Sequence, residues 1–446
     1  MSVCLSDKIG QKFLKFVSLN IMSMLAMSFY ILADTMFVAN GVGEDGLTAL
    51  NIVLPFFSLL NGTGVLLGIG GATRYSIAKG AGNKEIERRI FTSVLIIGCV
   101  FGAIYTFIGL VFPTEVCYLL GADDSIIDLA TTYLWSLSIC NLPFVVNHII
   151  LTFVRNDNAP KLAMLAVVGS SLFNILFDYI LIYPCNLGIF GASFATGFSS
   201  VVSIFILSFH FIRKKNSFRL VKPEFRLQDI KQTVFSGFPS MVAELSNGTV
   251  ILVFNKLIYE LGGNIAINAY SVVANLSLVA MFTFNGVSQG VQPLFSYNYG
   301  AKNQGNINKI YIYGLLTALG LATIYFVSFY FGRDFLIGLF NKENNQDMTV
   351  LAREAITLYN TAYFCAGLNI ISTALFATCG KPIFSFIIST LRGLVLPISY
   401  AFLMSSLLGL RGIWLTVMFA EVTTFVVTIV FVVINFYKLR RSVCKD

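Results

Sequence analysis

Long hydrophobic runs separated by short polar segments follow one another along almost the whole chain. Because the hydrocarbon core of a bilayer is about 30 Å thick, a helix needs roughly 20 apolar residues to cross it. Runs of at least that length lie near residues 13–38, 49–76, 90–112, 129–153, 161–183, 189–212, 233–258, 266–289, 309–331, 354–377, 382–404 and 410–436. The pattern therefore predicts an all-α polytopic membrane protein with twelve transmembrane helices.

The two halves of the chain repeat. Residues 187–201 align with residues 408–422 at an offset of 221, and both glycines of the Leu-Gly-x-x-Gly segment match. Gly-Ala-x-Asn at 80–83 recurs at 300–303, an offset of 220. Each repeat holds six predicted spans, and an even number preserves orientation. The repeats are therefore parallel and related by an axis along the membrane normal, an arrangement that places a substrate path between two bundles.

Composition places the chain in a membrane. Hydrophobic residues make up 56% of the sequence and charged residues 12%, with a mean hydropathy of +0.79, whereas a soluble globular domain has roughly 25% charged residues. The net charge of +8 comes from Lys and Arg in alternate loops. The positive-inside rule explains this charge better than nucleic-acid binding does, and it predicts that both termini are cytoplasmic.

The repeat and the charges together predict three parts of the chain. The parts are an N-terminal six-helix bundle at 1–212, a basic cytoplasmic linker at 213–232 and a C-terminal six-helix bundle at 233–446. We expect a monomer.

The sequence does not favour an enzyme or a cofactor-binding protein. It has no P-loop and no His-Glu-x-x-His motif, and no soluble stretch longer than about 25 residues could house a nucleotide domain. The eight cysteines show neither a Cys-x-x-Cys pair nor a histidine at metal-ligand spacing, so we assign them no redox or metal role. A transporter driven by an ion gradient is the class that remains.

Polar side chains inside the spans supply the candidate chemistry. Asn174 and Asp178 are four residues apart and share one face of the fifth span. An Asp inside a membrane helix costs about 2.5 to 3.5 kcal/mol, so such residues usually face a cavity or a partner. Three more polar residues fall in the same layer. Asp34 lies near the outer end of the first span, Tyr30 lies one turn below it, and Thr196 lies near the outer end of the sixth span.

The oxygens of this layer suit Na⁺ or a shared proton network, and they do not suit soft metals. The alternative interpretation gives these residues a structural role only. In that interpretation Asp34 and Asp178 touch water at the headgroups, and Thr196 bonds to its own helix.

A second polar set lies deeper in the other half. Glu244 is near the middle of the seventh span, Arg392 near the middle of the eleventh and Glu421 near the middle of the twelfth. We favour a structural ion pair for Arg392 with Glu421. For Glu244, a structural role and a role as a second coupling or substrate-binding carboxylate stay equally open. His148 is interpreted as a hydrogen-bonded interior residue, and His210 lies near the cytoplasmic end of its span.

Four motifs together resemble those of the multidrug and toxic compound extrusion family, in the prokaryotic branch related to DinF and MepA. Leu-Ala-Asp-Thr-Met-Phe-Val at 32–38 resembles the first-span signature, and Asn174-x-x-x-Asp178 the fifth-span motif. The Gly-rich segment 188–196 resembles the sixth-span motif, and residues 74–84 resemble the loop after the second span. The resemblance covers essentially the whole chain.

The resemblance implies a V-shaped transporter in a prokaryotic plasma membrane that exports lipophilic, often cationic compounds in exchange for H⁺ or Na⁺, without a cofactor. Its partners would be these small molecules and membrane lipids, with no nucleic acid. The ion site that it implies here comprises Asp34, Asn174, Asp178 and Thr196, with a backbone oxygen near Ala192 and with Tyr30 alongside.

The chain departs from relatives of this family in two respects. Some relatives bend the first span at a proline, yet no Pro occurs between Met1 and Val38. Relatives with a carboxy-terminal Na⁺ site carry several carboxylates in the seventh and tenth spans, whereas this chain offers only Glu244 and, at an edge, Glu354. We therefore expect neither a proline-hinged mechanism nor a complete second site.

Two other functions stay open at the level of sequence. A flippase for lipid-linked sugars or a polysaccharide exporter would share the two-bundle plan, although such relatives commonly have fourteen spans and a cationic cavity. A membrane receptor or scaffold without transport would bind its partner independently of ion gradients.

Overall fold

The fold is known from a computed structural model that describes residues 3–214, 216–341 and 345–443. These residues are almost entirely helical. The first half contains α1 (Val3–Gly41), α2 (Glu44–Gly80), α3 (Lys84–Val111), α4 (Pro113–Leu119), α5 (Ile127–Ser138), α6 (Asn141–Asn156), α7 (Pro160–Ile182) and α8 (Gly188–Ile212). The second half contains α9 (Leu227–Gly300), α10 (Gln304–Phe331), α11 (Arg333–Phe340), α12 (Gln346–Tyr359), α13 (Ala362–Thr378), α14 (Pro382–Thr390), α15 (Leu396–Leu408) and α16 (Leu410–Val443). A π-helical turn, Leu391–Val395, joins α14 to α15.

The described helices confirm the predicted spans. Nine helices are long and apolar enough to cross a membrane, and two bent pairs, α5 with α6 and α12 with α13, pass the same test jointly. The pairs bend by 49° and 42°. Helix α9 runs for 74 residues but breaks at Gly263, whose φ of 61° and ψ of −156° are not helical. With α9 counted as two spans and each bent pair as one, the described chain crosses the membrane twelve times.

Two short helices were not predicted. Helices α4 and α11 follow the third and ninth spans, and they stand at equivalent places in the two repeats. With 7 and 8 residues they are too short to give a membrane-length hydrophobic run. In addition, α9 begins at Leu227, inside the segment that the sequence assigns to the linker.

Equivalent hydrogen bonds occur in the two repeats. The hydroxyl groups of Thr63 and Tyr105 lie 2.9 Å apart in the first half. Those of Thr283 and Tyr325, each 220 positions later, lie 2.6 Å apart in the second half. One cluster of buried apolar side chains lies within the first half, and a second cluster combines the second half with Ile9, Phe13, Phe16 and Val17 at the start of α1. The repeat seen in the sequence thus extends to individual buried contacts.

Glycines let the two halves approach at backbone distance. We call the end of the molecule that carries residues 213–226 the linker side, and the opposite end the far side. A Cβ atom built on Gly70 of α2 would lie 2.0 Å from the carbonyl oxygen of Thr233 in α9, and one on Gly237 would lie 2.0 Å from that of Leu66. These distances are far below a normal contact, so only glycine permits this packing.

A second glycine pair repeats this arrangement at the linker-side ends of the helices. A Cβ atom on Gly80 would lie 2.1 Å from the Tyr297 carbonyl oxygen, and one on Gly300 would lie 2.0 Å from that of Ile77. Gly80 and Gly300 are also equivalent in the sequence repeat. The linker side is therefore closed by direct backbone contact between α2 and α9.

Candidate functional site

Polar side chains from three helices of the first half meet towards the far side. Asp34 lies in the last third of α1, Asn174 and Asp178 lie one turn apart on α7, and Thr196 lies in the first third of α8. Helix α7 packs against both α1 and α8, which brings these residues together. Asn174, Asp178 and Thr196 are buried.

Asn174 links Asp178 to α8. Its amide nitrogen donates to Asp178 Oδ2 at 3.1 Å, and its amide oxygen accepts from Thr196 Oγ1 and from the Thr196 backbone nitrogen, both at 3.2 Å. The i, i+4 spacing on α7 places the amide and the carboxylate on one face. The amide therefore holds one carboxylate oxygen and leaves the other free.

Two carboxylate oxygens in this site lack partners. Asp34 Oδ1 and Asp178 Oδ1 are buried and have no hydrogen-bond partner among the described residues. The two carboxyl groups lie within electrostatic range of each other. Leaving a buried polar group unsatisfied costs about 1–3 kcal/mol, and more when it is charged. A proton or a hard cation between Asp34 and Asp178 would remove that cost, so the residues present fit the expected coupling ion.

Two tyrosines lie near the carboxyl pair. Tyr30 is within electrostatic range of both Asp34 and Asp178. Tyr133, on α5, is within range of the same carboxyl groups and of Tyr30. Tyr30 was predicted from the sequence but Tyr133 was not, because a tyrosine in a hydrophobic run is as typical of packing as of a site.

Ala192 is buried beside the site. It lies one turn before Thr196 on α8, and its side chain packs in a small apolar cluster with Val38 and Ile182. The cluster joins α1, α7 and α8 and is buried. Ala192 therefore contributes a small apolar side chain where the three helices converge.

Glu244 lies between the two halves. Its Oε2 accepts a hydrogen bond from Asn61 Nδ2 of α2 at 2.8 Å. Glu244 is also within electrostatic range of Tyr30. It therefore connects the α2–α9 contact with the region of the carboxyl pair. Asn61 was not identified from the sequence as its partner.

Arg392 and Glu421 form an ion pair. Arg392 Nη2 donates to Glu421 Oε1 at 2.7 Å, and Asn369 Nδ2 donates to Oε2 at 2.8 Å. Thr428 in turn donates to Asn369 Oδ1 at 2.9 Å. Arg392 lies in the π-helical turn between α14 and α15. The pair joins α16 to that turn and to α13.

A cluster around Asp157 holds the linker against the first bundle. Asp157 Oδ1 accepts from Tyr75 at 2.7 Å and from Lys79 at 2.5 Å, and Oδ2 lies 3.0 Å from His210 Nε2 and accepts from the Ser217 backbone nitrogen at 2.7 Å. Burial opposes ionisation, but the hydrogen bonds from His210, Lys79, Ser217 and Tyr75 outweigh it and hold the pKa of the Asp157 carboxyl below its usual range. The sequence analysis did not identify this cluster.

Known proteins match the chain over most of its length. The MatE family model matches residues 20–180 and 239–403. The multidrug export protein MepA of Staphylococcus saprophyticus is 29% identical over 384 residues, which cover 84% of this chain and 82% of that protein. MepA of Staphylococcus aureus strain MSSA476 is 27% identical over 392 residues, which cover 85% and 84%.

Solved structures share the fold. A multidrug resistance MATE family transporter of the MOP superfamily, in an outward-facing conformation, matches with a TM-score of 0.91 at 21% identity over 96% of both chains. A MOP superfamily transporter from Pyrococcus furiosus Vc1, described as having a binding pocket of reverse polarity, matches with a TM-score of 0.89 at 21% identity over 97% of both chains.

Proposed function

The chain belongs to the MatE family of membrane transporters, and on that premise we propose that it is a secondary active antiporter that exports lipophilic, often cationic compounds in exchange for H⁺ or Na⁺. The family match confirms the resemblance of the sequence motifs. The two MepA relatives support multidrug export as the function of this chain.

The observation that carries the coupling proposal is the pair of unpartnered carboxylate oxygens on Asp34 and Asp178. Both are buried, and they come from different helices that approach each other. A cation or proton entering between them would be held by both helices. Its release would free α1 to move relative to α7.

The proposed cycle is alternating access between the two bundles. We take the far side as the outside, which places both termini in the cytoplasm of a prokaryote. The glycine contacts then close the cytoplasmic side while the ion site is loaded from outside. The coupling ion and the exported compound compete, because each favours a different position of α1. Glu244 would help bind a cationic compound between the bundles.

The membrane potential can drive export of a neutral compound with one ion. Moving one net charge inward through the membrane potential supplies about 2.3 kcal/mol per 100 mV. That corresponds to a concentration ratio of roughly fifty for the exported compound. One ion per molecule would therefore support export of a neutral compound, whereas export of a monovalent cation needs two ions for the same net charge movement.

Transport by the full-length protein in vesicles tests this proposal. The protein is reconstituted in proteoliposomes, and ethidium movement is followed by fluorescence under an imposed proton gradient and, separately, under a Na⁺ gradient. We expect one gradient to drive ethidium export and Asp34→Asn to abolish it. Asp45→Asn, at an exposed carboxylate at the start of α2, is the matched control and should transport as well as the parent protein. Export by Asp34→Asn at the parent rate would overturn the assignment.

A further inference from the structure

An elongated cavity lies apart from the carboxyl pair, on the linker-side half of the molecule. It has a volume of about 450 Å³ and is enclosed by α2, α3 and the first turns of α9. Four of its lining residues, Arg89, Ser93, Ile97 and Phe101, follow one face of α3 at intervals of four. The cavity therefore extends along α3 from the linker towards the middle of the membrane. Its volume is within the range of about 300–1,000 Å³ that is usual for ligand pockets.

The cavity is apolar along its length and charged at one end. The charged lining residues, Arg89, Glu224, Arg226 and Asp229, all lie at the linker end. Two arginines and two carboxylates balance in formal charge. The cavity therefore has the polarity of an amphiphile, with a polar end that carries no net charge.

Two buried polar atoms in this cavity are unpartnered. Arg89 is 6% exposed and Thr233 is 3% exposed, and both line the cavity. Arg89 Nη1 and Nη2 are engaged by Glu85, Glu224 and Asp229. Arg89 Nε and Thr233 Oγ1, in contrast, have no hydrogen-bond partner among the described residues. An unsatisfied buried group costs about 1–3 kcal/mol, so a rotation of either side chain into the cavity, where it donates to an acceptor oxygen of a ligand, is favourable.

The symmetry-equivalent space, between α1 and α10, is filled by side chains. At an offset of 220, Ser93 corresponds to Tyr313 and Thr233 corresponds to Phe13. Phe13 and Tyr313 pack edge to face, with ring centroids 5.5 Å apart. At the cavity, between α3 and α9, both positions carry small side chains. The cavity therefore exists where an aromatic pair has been replaced by Ser93 and Thr233.

The cavity opens towards the bilayer. Phe101 on α3 is 42% exposed and Val234 on α9 is 37% exposed, and both belong to the lining. In a membrane-spanning protein such exposed apolar side chains face lipid. An occupant can therefore enter sideways from the leaflet on the linker side.

We infer that this cavity binds a glycerophospholipid of the linker-side leaflet. One acyl chain lies along the apolar face of α3, between α3 and α9. Phosphate or ester oxygens accept hydrogen bonds from Arg89 Nε and from the Thr233 hydroxyl. The balanced charges at the mouth match a zwitterionic headgroup, whose phosphate faces the arginines and whose ammonium faces the carboxylates. Such a lipid contacts both halves beside the point where Gly70 of α2 packs against the Thr233 carbonyl group of α9. It therefore stabilises the closed linker side.

Native mass spectrometry of the full-length protein tests the inference. The purified protein is titrated with palmitoyl-oleoyl-phosphatidylethanolamine, and the lipid-bound fraction is measured. We expect one saturable lipid per protein. Ser93→Tyr should weaken its binding at least tenfold, because the new ring copies Tyr313 in the filled equivalent space. The matched control is Val100→Tyr, on the same helix at a position that is exposed and outside the lining. It should leave binding unchanged.

A second variant tests the inference independently, in case Ser93→Tyr does not fold. Thr233→Val keeps the size of the side chain and removes the free hydroxyl, and loss of about 1 kcal/mol should weaken binding roughly fivefold. Equal lipid affinity of the parent and both variants would overturn the inference. Displacement of the lipid by ethidium would also overturn it, since the cavity would then belong to the transport path. Neither outcome depends on whether the carboxyl pair couples transport.

Discussion

Replacing Gly70 by alanine should open the linker side. The new Cβ atom would start 2.0 Å from the Thr233 carbonyl oxygen, whereas real Cβ atoms keep at least 3.0 Å. The helices α2 and α9 must therefore separate by about 1 Å or distort by that amount. Both positions lie inside long helices, so the strain has no loop to relax into.

The free-energy cost of the substitution can be estimated from the known cost of overpacking. Forcing an extra methyl group into a tight contact costs typically about 1–3 kcal/mol. The cost falls on the closed form only, because the contact is absent once the halves part. Since 1.4 kcal/mol is a factor of ten, the ratio of closed to open molecules should fall roughly 5- to 150-fold. The better helix propensity of alanine affects both forms alike.

Spin-label distances measure this shift. One label is attached at Lys84, at the start of α3, and one at Lys309 of α10, both exposed on the linker side, in a background whose native cysteines are replaced by serine. We expect a new population of longer distances in Gly70→Ala. The matched control is Gly320→Ala on α10, where a Cβ atom meets nothing within 4 Å, and it should keep the parent distribution. An unchanged distribution in Gly70→Ala would refute the role given to these glycines.

Three further predictions concern carboxylates. Asp178→Asn keeps the size of the side chain but removes the charge, so gradient-driven ethidium export in vesicles should fall at least tenfold while substrate binding persists; equal export would contradict the site. Glu421→Gln leaves Arg392 without its charged partner, and breaking a buried pair costs about 3–5 kcal/mol. The thermal midpoint in detergent should therefore drop, and an unchanged midpoint would show that the pair does not stabilise the fold. Because the folded-state pKa of Asp157 is depressed, its contribution to stability is present above about pH 3.9 and is lost as the pH falls below it. The thermal midpoint of Asp157→Asn in detergent should therefore lie below that of the parent at pH 7, and the gap between the two should shrink at pH 3. A gap that does not change with pH would contradict the ionised cluster.

The spans and part of the site could be predicted because they depend on local pattern. Hydrophobic runs of membrane length identify the twelve spans wherever they lie. A carboxylate in such a run is costly, so Asp178 stands out, and the spacing to Asn174 is enough to place both on one face of α7. The convergence of Asp34 and Thr196 followed from their depth alone.

The remaining features depend on which residues meet across the fold. Tyr133 approaches the carboxyl pair only because α5 packs on α8, and nothing in its own run distinguishes it from a packing residue. The importance of Gly70 lies in a carbonyl group more than a hundred residues away. The cavity arises because Ser93 is small where its repeat partner, Tyr313, is large, and this difference becomes visible only when the two halves are compared side by side.

The most direct test of the central claim is to measure the ion released when the exported compound binds. Purified full-length protein in weakly buffered detergent solution is mixed with ethidium, while a pH dye and a Na⁺ electrode record the solution. We expect the parent protein to release one kind of ion as ethidium binds, and Asp34→Asn to bind ethidium without that release. Equal release by Asp34→Asn, or ethidium binding by the parent protein with no release of either ion, would contradict the account.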